Sequence, residues 1–155
     1  MKKQILVLFS LAMLSVQGVA DERAMGVAEN AAGLWNKALK AGSIVDILAL
    51  YADNAMIIQP DGSFSKERNE IRAFWQNIMD KKSGVMAIDV IEARDDRDGT
   101  IVTTAHLSDS KAMSASPDMM KYSYDGVVYS VLKRQADGSW KAQVQQWRDA
   151  HAHVG

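Results

Sequence analysis

The sequence predicts an α+β fold, in which three helices are followed by a long antiparallel sheet. Apolar residues recur at helical spacing through the first half of the chain, and after Gly84 the pattern changes to the two-residue period of strands. Two Asp-Gly pairs, at residues 98–99 and 137–138, predict tight turns between strands. With 155 residues and no cysteine, the chain has the size of one domain stabilised by packing alone.

The first twenty residues have the three-part pattern of a secretory signal. Lys2 and Lys3 begin it, an apolar run follows, and the small residues 18–20 predict cleavage before Asp21. The run is shorter than the roughly 20 residues that span a bilayer, which disfavours a membrane anchor. We therefore expect a signal peptide over residues 1–20 and a single domain over residues 21–155. The expected location is the bacterial periplasm or the medium, with no membrane attachment after cleavage.

The charge of the mature chain disfavours polyanionic partners. Removal of Lys2 and Lys3 leaves 16 basic residues against 19 acidic ones, so the formal charge changes from −1 to −3. A mildly acidic chain is not expected to bind nucleic acid. The lack of cysteine excludes thiol chemistry and thiolate metal sites, and no motif calls for a cofactor.

Two helices are predicted before the first strand. Apolar residues recur every three or four positions over residues 22–40, and Gly42 follows as a stop signal. Ser43, with Asp46 three residues later, resembles a capping box. It is expected to open a short second helix that runs to Tyr51.

A short strand and a third helix follow. Residues 55–59 are apolar enough for a strand, and the turn 60–62 reads Pro-Asp-Gly, in which proline presets φ and glycine accepts the left-handed position. Ser65 is the expected cap of the third helix. The apolar face of that helix comprises Ile71, Phe74, Trp75, Ile78 and Met79.

The remaining pattern predicts strands. They are expected over residues 86–91, 100–108, 122–134 and 140–148. Alternation along the last strand puts Trp147 on the same face as Gln145, and Ala142 on the same face as Val144. On composition alone, the more apolar pair, Ala142 and Val144, would be expected to face the core.

Three segments carry a family likeness, namely LWNKALKAGSIVDILALYADNAMIIQPDGS, IRAFW and VLKRQADGSWKAQVQQW. They resemble the nuclear transport factor 2-like superfamily, the cone fold of ketosteroid isomerase, and within it the SnoaL-like, DUF4440-type domains. The resemblance implies three helices packed in a curved antiparallel sheet and a homodimer through the outer sheet face. It places Trp147 inside the cone, so that Ala142 and Val144 would face the partner. This scaffold hosts both enzymes and interaction modules, so the likeness does not decide the function.

The resemblance also implies that Gln59 projects into the cone, where ketosteroid isomerases carry an aspartate. That aspartate is their general base, and a tyrosine and a protonated aspartate form the oxyanion hole. In this chain Trp35 takes the place of the tyrosine, and the place of the second acid falls near Tyr129 or Ser130. An amide accepts no proton at neutral pH and an indole only donates, so ketosteroid isomerase activity is not expected. Other enzymatic activity stays open.

The leading hypothesis is a pocket for a small, largely apolar molecule, with amides for orientation and indoles for walls. In the alternative, the aromatic residues are core and Gln59 bonds to backbone at the turn. The predicted pocket residues are Trp35, Tyr51, Gln59, Trp75, Tyr129, Gln145 and Trp147.

Two further hypotheses remain. His106, in a predicted strand, could serve a lyase, isomerase or hydrolase as a general base if Asp89 or Asp125 were near, although a surface histidine is the simpler interpretation. Otherwise the domain is a protein-interaction module whose own side chains fill the cone. No metal site is predicted, since His151 and His153 lie close to the terminus without further ligands.

Overall fold

The computed structural model of the chain describes residues 2–81, 84–96, 98–109 and 125–149, with side chains from residue 22 onward. The helices are α1 (Lys2–Ala41), α2 (Ile44–Ala49) and α3 (Arg68–Lys81), and the strands are β1 (Tyr51–Ile58), β2 (Phe64–Ser65), β3 (Met86–Asp95), β4 (Thr100–Asp109), β5 (Asp125–Arg134) and β6 (Trp140–Asp149). This order confirms the predicted α+β architecture. Within the described residues, no helix combines the length and the apolar content needed to cross a membrane.

α1 supplies a face of small side chains to the core. It begins at Lys2, well before the predicted start at residue 22. Its buried residues follow the helical period and are Ala24, Ala28, Ala31, Ala32, Trp35, Ala38 and Leu39. Gly42 follows the helix with a φ of 64°, which glycine adopts without strain. Because most of the buried face is alanine, α1 can lie close to the sheet.

α2 begins as predicted and ends sooner. The Ser43 side chain accepts a hydrogen bond from the backbone N–H of Asp46, which caps the first turn. Tyr51, expected at the end of this helix, is the first residue of β1. The reason is a tertiary contact, since the Leu50 carbonyl accepts a hydrogen bond from the Ala142 N–H of β6 at 2.9 Å. The chain has therefore joined the sheet before another helical turn can form.

The cap of α3 differs from the predicted one. Ser65 lies in β2, where its hydroxyl accepts a hydrogen bond from the Gln59 side chain at 3.0 Å. The Glu67 carbonyl accepts the first helical hydrogen bond instead. The Glu70 carboxylate accepts hydrogen bonds from the backbone N–H groups of Lys66 and Glu67, which lower its pKa below the ordinary value. This carboxylate supplies half of a capping box in place of a serine cap.

All strands belong to one six-stranded sheet of order β2-β1-β6-β5-β4-β3. Neighbouring strands are antiparallel except β1 and β6, which run parallel, so the sheet is mixed where a wholly antiparallel one was expected. The exception arises because β1, the first strand, joins the sheet beside the last one. The first and the last strand of the sequence are therefore neighbours in the sheet.

The sheet has an inner face towards the helices and an outer face. On β4 the inner residues are Ile101, Thr103, Ala105 and Leu107, all 9% exposed or less. The residues between them, including Val102 and His106, are only partly buried and lie on the outer face. The core therefore sits between the inner face, α1 and α3.

A β-bulge at Gln143 changes the phase of β6. The pairing with β5 passes from Val131 opposite Val144 to Leu132 opposite Ala142, which leaves Gln143 as the extra residue. Ala142 is therefore fully buried on the inner face, as Trp147 is, and the expectation that Ala142 faces outward with Val144 is wrong. Strict alternation cannot place both residues inside, whereas a bulge can.

Asn36 anchors α1 to the edge strand β3. Its side-chain amide donates to the Ile88 carbonyl at 2.9 Å and accepts from the Ile88 N–H at 2.7 Å. The side chain thus pairs with the exposed backbone edge as a neighbouring strand would. Earlier in α1, Arg23 forms an ion pair with Asp95 of β3 at 2.6 Å. The arginine side chain is 64% exposed.

We expect Asn36→Ala to lower the free energy of unfolding by about 1–3 kcal/mol, because both backbone groups of Ile88 lose their partner. Lys37→Ala, at the exposed neighbouring position on α1, is the matched control and should change it little. Urea unfolding of both variants measures the difference. Equal stability of the two would contradict an anchoring role for Asn36.

Candidate functional site

A small cavity lies between α1 and the inner face of the sheet. Its volume is about 30 Å³, and its lining residues are Ala28, Ala31, Ala32, Trp35, Ile88, Val90, Thr103, Ala105, Val128, Ser130, Leu132 and Gln145. That volume holds a water molecule or two. It is well below the roughly 300 Å³ at which small-molecule pockets begin. In the part of the chain that the structure describes, the space between α1 and the inner face is thus largely filled by side chains.

Three polar residues form a row across the floor of this cavity. Thr103 of β4 is in register with Ser130 of β5, and Ser130 is in register with Gln145 of β6. They are 6%, 9% and 3% exposed, respectively. Side chains opposite one another on adjacent strands lie about 5 Å apart, so the row is continuous. This set, here called the polar row, is the candidate functional site.

A hydrogen-bonded chain lies behind Gln145. The indole Nε1 of Trp75 donates to the Tyr51 hydroxyl at 2.9 Å, and that hydroxyl donates to Oε1 of Gln145. The indole Nε1 of Trp147 points at the same oxygen from 3.4 Å. The amide oxygen of Gln145 is therefore held by groups of β1 and β6, away from the cavity.

The same residues form an aromatic cluster. Tyr51 meets Trp35 edge to face at 5.1 Å between ring centroids, and Trp75 meets Trp147 in the same way at 5.2 Å. Burial raises the pKa of Tyr51 far above its ordinary value, and the hydrogen bond from Trp75 only partly opposes this. The buried phenol is consequently neutral at physiological pH and still neutral above the ordinary pKa of a tyrosine.

The polar row lacks partners on its cavity side. In the part of the chain that the structure describes, neither the Thr103 nor the Ser130 hydroxyl makes a hydrogen bond, and Nε2 of Gln145 donates none. A buried polar group without a partner costs about 1–3 kcal/mol. Three such groups on one wall distinguish this cavity from a packing defect, which is normally lined by apolar atoms.

The cavity carries no titratable group among its described lining residues. The described residues also contain no group of three or more metal-ligating side chains. The walls can therefore offer hydroxyl and amide hydrogen bonds and apolar contact, but no proton carrier at neutral pH.

The predicted pocket residues divide into lining, supporting and distant ones. Trp35 and Gln145 line the cavity. Tyr51, Trp75 and Trp147 are 0–2% exposed and support Gln145 from behind. The structure thus brings five of the seven residues together.

Gln59 and Tyr129 lie elsewhere. The backbone of Gln59 closes the β1–β2 hairpin through Ser63, and its side chain donates to Ser65. Gln59 is therefore engaged within its own hairpin, as in the alternative, but the partner of its side chain is the Ser65 hydroxyl and not backbone. Tyr129 is 37% exposed on the outer face, with the Arg148 guanidinium 5.7 Å above its ring. Ser130, the next residue of β5, faces inward instead of Tyr129.

Of the histidine candidates, His106 does not reach the cavity. His106 lies on the outer face opposite Asp89, since the inner positions of β4 are taken by Ala105 and Leu107. The general-base hypothesis therefore receives no support from this cavity. His151 and His153 lie outside the described residues.

Thr103 was not predicted as a site residue, and Ser130 entered only through the family resemblance. A signal for both was present in the sequence. Thr103 is in phase with Ile101, Ala105 and Leu107, which are apolar, and a polar residue in phase with an apolar face is buried.

Comparisons with known proteins agree with this architecture. A family model described as "SnoaL-like domain" matches residues 28–151. No curated protein matches the chain. Among solved structures, a ketosteroid isomerase-like protein from Erwinia carotovora atroseptica SCRI1043 is 16% identical with a TM-score of 0.61, covering 81% of this chain and 95% of its own.

Two other structures are similarly close in shape. An NTF-2 like protein of unknown function from Shewanella oneidensis MR-1 is 13% identical with a TM-score of 0.63, over 81% of this chain and 98% of its own. ActVI-ORFA from Streptomyces coelicolor is 15% identical with a TM-score of 0.63, over 82% and 97%. At such identities the likeness confirms the predicted cone fold, and it leaves the function open.

Because burial keeps Tyr51 neutral, its contribution to stability should fall at high pH. Above its ordinary pKa of 10.0, the phenol loses its proton in the unfolded chain but keeps it in the folded one. The unfolded state then binds fewer protons, so the free energy of unfolding decreases, by about 1.4 kcal/mol per pH unit. Urea unfolding near pH 8 and pH 11 should show a smaller decrease for Tyr51→Phe than for the wild type. Identical decreases would contradict the buried neutral phenol; Tyr129→Phe is the exposed control.

Proposed function

We propose that this chain, which belongs to the SnoaL-like domain family, binds a small, largely apolar molecule in the cavity between α1 and the inner face of the sheet. One observation carries the proposal, namely the polar row of Thr103, Ser130 and Gln145 buried in an otherwise apolar wall. A ligand would supply the partners that the row lacks. Apolar walls with a few convergent polar groups are the usual composition of a small-molecule site.

Binding requires a small ligand, a modest displacement of α1, or both. The part of α1 over the cavity comprises Ala28, Ala31, Ala32 and Trp35, of which the three alanines bury little surface each. The ion pair of Arg23 with Asp95 is largely exposed and contributes about 0–1 kcal/mol at most. The firmer anchor, Asn36, lies beyond this part. The alanine segment is therefore held less firmly than the following turn, where Trp35 packs on Tyr51 and Asn36 bonds to Ile88.

The composition of the walls favours recognition over acid–base catalysis. No described lining residue titrates near neutrality, and His106 is on the outer face. A lyase, isomerase or hydrolase using His106 would need its substrate on that face. The polar row supports binding without such a requirement.

A protein-interaction module is the second candidate, and the small volume of the cavity favours it. The outer face offers a surface for this role. Met56, Val144, Val131 and Val102 are in register across β1, β6, β5 and β4, and all are only partly buried. An apolar row on an open sheet face is typical of an interface.

We further propose that this apolar row forms a homodimer and that residues 1–20 direct export to the periplasm or the medium. The dimer would cover the outer face, as the family resemblance implies. Export is supported by the charged start, the apolar run and the small residues before Asp21.

Filling the cavity should abolish ligand binding. Ala105→Leu adds bulk to a lining residue that is 6% exposed, whereas Ala87→Leu adds it at an exposed site on β3 and is the control. Native mass spectrometry of protein isolated from its own compartment should show an added mass, lost on activation, in the wild type and the control but not in Ala105→Leu. Retention of that mass by Ala105→Leu would place the ligand elsewhere. Absence of added mass in every protein would favour the interaction module.

A charge in the apolar row should disrupt the dimer. Val131→Asp buries a carboxylate in the proposed interface, which is strongly unfavourable without a partner. Val45→Asp, on α2 where the side chain is 68% exposed, should leave the subunit count unchanged. Light scattering after size exclusion reports the mass of each. A wild-type monomer, or a Val131→Asp dimer as stable as the control, would contradict the proposed interface.

A further inference from the structure

The hydrogen bonds around Gln145 determine which end of its amide faces the cavity. The Trp75 indole can only donate, so the Tyr51 oxygen must accept from it. The single phenolic proton of Tyr51 is then directed at Gln145, which must present its oxygen. Trp147, also a donor only, points at the same atom. Two independent donors therefore fix the amide with its oxygen away from the cavity.

The nitrogen end of the amide is left for the cavity. Gln145 lines the cavity, whereas Tyr51 and Trp147 are not among its lining residues. Nε2 donates no hydrogen bond to any residue that the structure describes, although the side chain is only 3% exposed. Two N–H donors are thus buried without an acceptor, beside the Ser130 hydroxyl.

We propose that Gln145 is the specificity-determining residue of the cavity and selects an uncharged ligand that presents a hydrogen-bond acceptor, such as a carbonyl or ether oxygen. Tyr51 is the positioning residue that holds Gln145 as a donor. This inference rests on the proposed ligand binding. The acceptor is required because the lone pair of Nε2 is delocalised into the amide, so this nitrogen donates hydrogen bonds and accepts none.

The ligand must be uncharged because the described lining residues carry no charge to pair with it. Moving an isolated ion into such a cavity is far more costly than moving a neutral polar group. A neutral acceptor instead exchanges its bonds to water for bonds to Gln145 and the adjacent hydroxyl. Its net gain is that of about one neutral hydrogen bond, or roughly tenfold in affinity.

Two probes of the same shape test this inference. Cyclopentanone presents a carbonyl oxygen, and methylenecyclopentane carries a CH₂ group in its place. Both are larger than the closed cavity of about 30 Å³, so each enters only with the displacement of α1 that the proposed binding includes. In ¹⁵N- and methyl-labelled protein, both should perturb the methyl resonances of Val128 and Leu132, which line the cavity. The ketone should bind about tenfold more tightly and should alone shift the side-chain amide of Gln145.

The outcomes separate this inference from the proposed function. Equal affinities, with no shift of the Gln145 amide, would overturn the donor role and leave ligand binding intact. No perturbation of any cavity resonance by either probe would overturn both proposals. Tighter binding of the alkene would likewise contradict a donor site.

Variants identify the residues involved. Gln145→Met keeps the length of the side chain and removes the donor, so the preference for the ketone should disappear. Gln146→Met, one residue away on the outer face, is the matched control and should keep it. Tyr51→Phe releases the amide to rotate, and should reduce the ketone preference while alkene binding stays constant. A purely structural role for Tyr51 would instead weaken both probes equally.

Discussion

The buried phenol of Tyr51 connects three elements that are distant in the sequence. It begins β1, accepts a hydrogen bond from the Trp75 indole of α3 and donates one to Gln145 of β6, which is 94 residues away. Removal of the hydroxyl would leave a buried indole N–H without its acceptor, and such a group is expensive. The packing of the core and the polarity of the cavity therefore depend on the same hydrogen bonds.

This dependence is possible only because the bulge at Gln143 places residues on both sides of it on the inner face. Ala142 packs beneath the helices, while Gln145 and Trp147 meet the aromatic cluster. With regular alternation, Ala142 and Gln145 would point to opposite faces of the sheet. Either the core residue Ala142 or the cavity residue Gln145 would then be on the outer face. A second bulge, at Ile91 of β3, turns that side chain to solvent at 59% exposure near the edge of the sheet.

The sequence predicts local features of this fold well and tertiary ones poorly. The Ser43 cap and the strands around the two Asp-Gly turns follow from nearby residues alone, and the structure has them. The parallel pairing of β1 with β6 depends on contacts between distant residues, and so does the bulge at Gln143. Gln145 was predicted through the family likeness, whereas Thr103 required knowing which phase of β4 is buried. Gln59 was misleading because its partner, Ser65, satisfies its amide within the hairpin.

A cavity of this kind also limits the chemistry that the domain can perform. An amide donor stabilises a carbonyl oxygen in a bound ligand and in any transition state derived from it, so it lowers the free energy of both. Acceleration needs a group that interacts more strongly with the transition state, and proton transfer needs a carrier within reach. The described walls offer neither a carboxylate nor an imidazole. With Gln145 held as a donor and Gln59 engaged in its turn, the described walls fit the proposed recognition of a neutral acceptor better than they fit proton transfer.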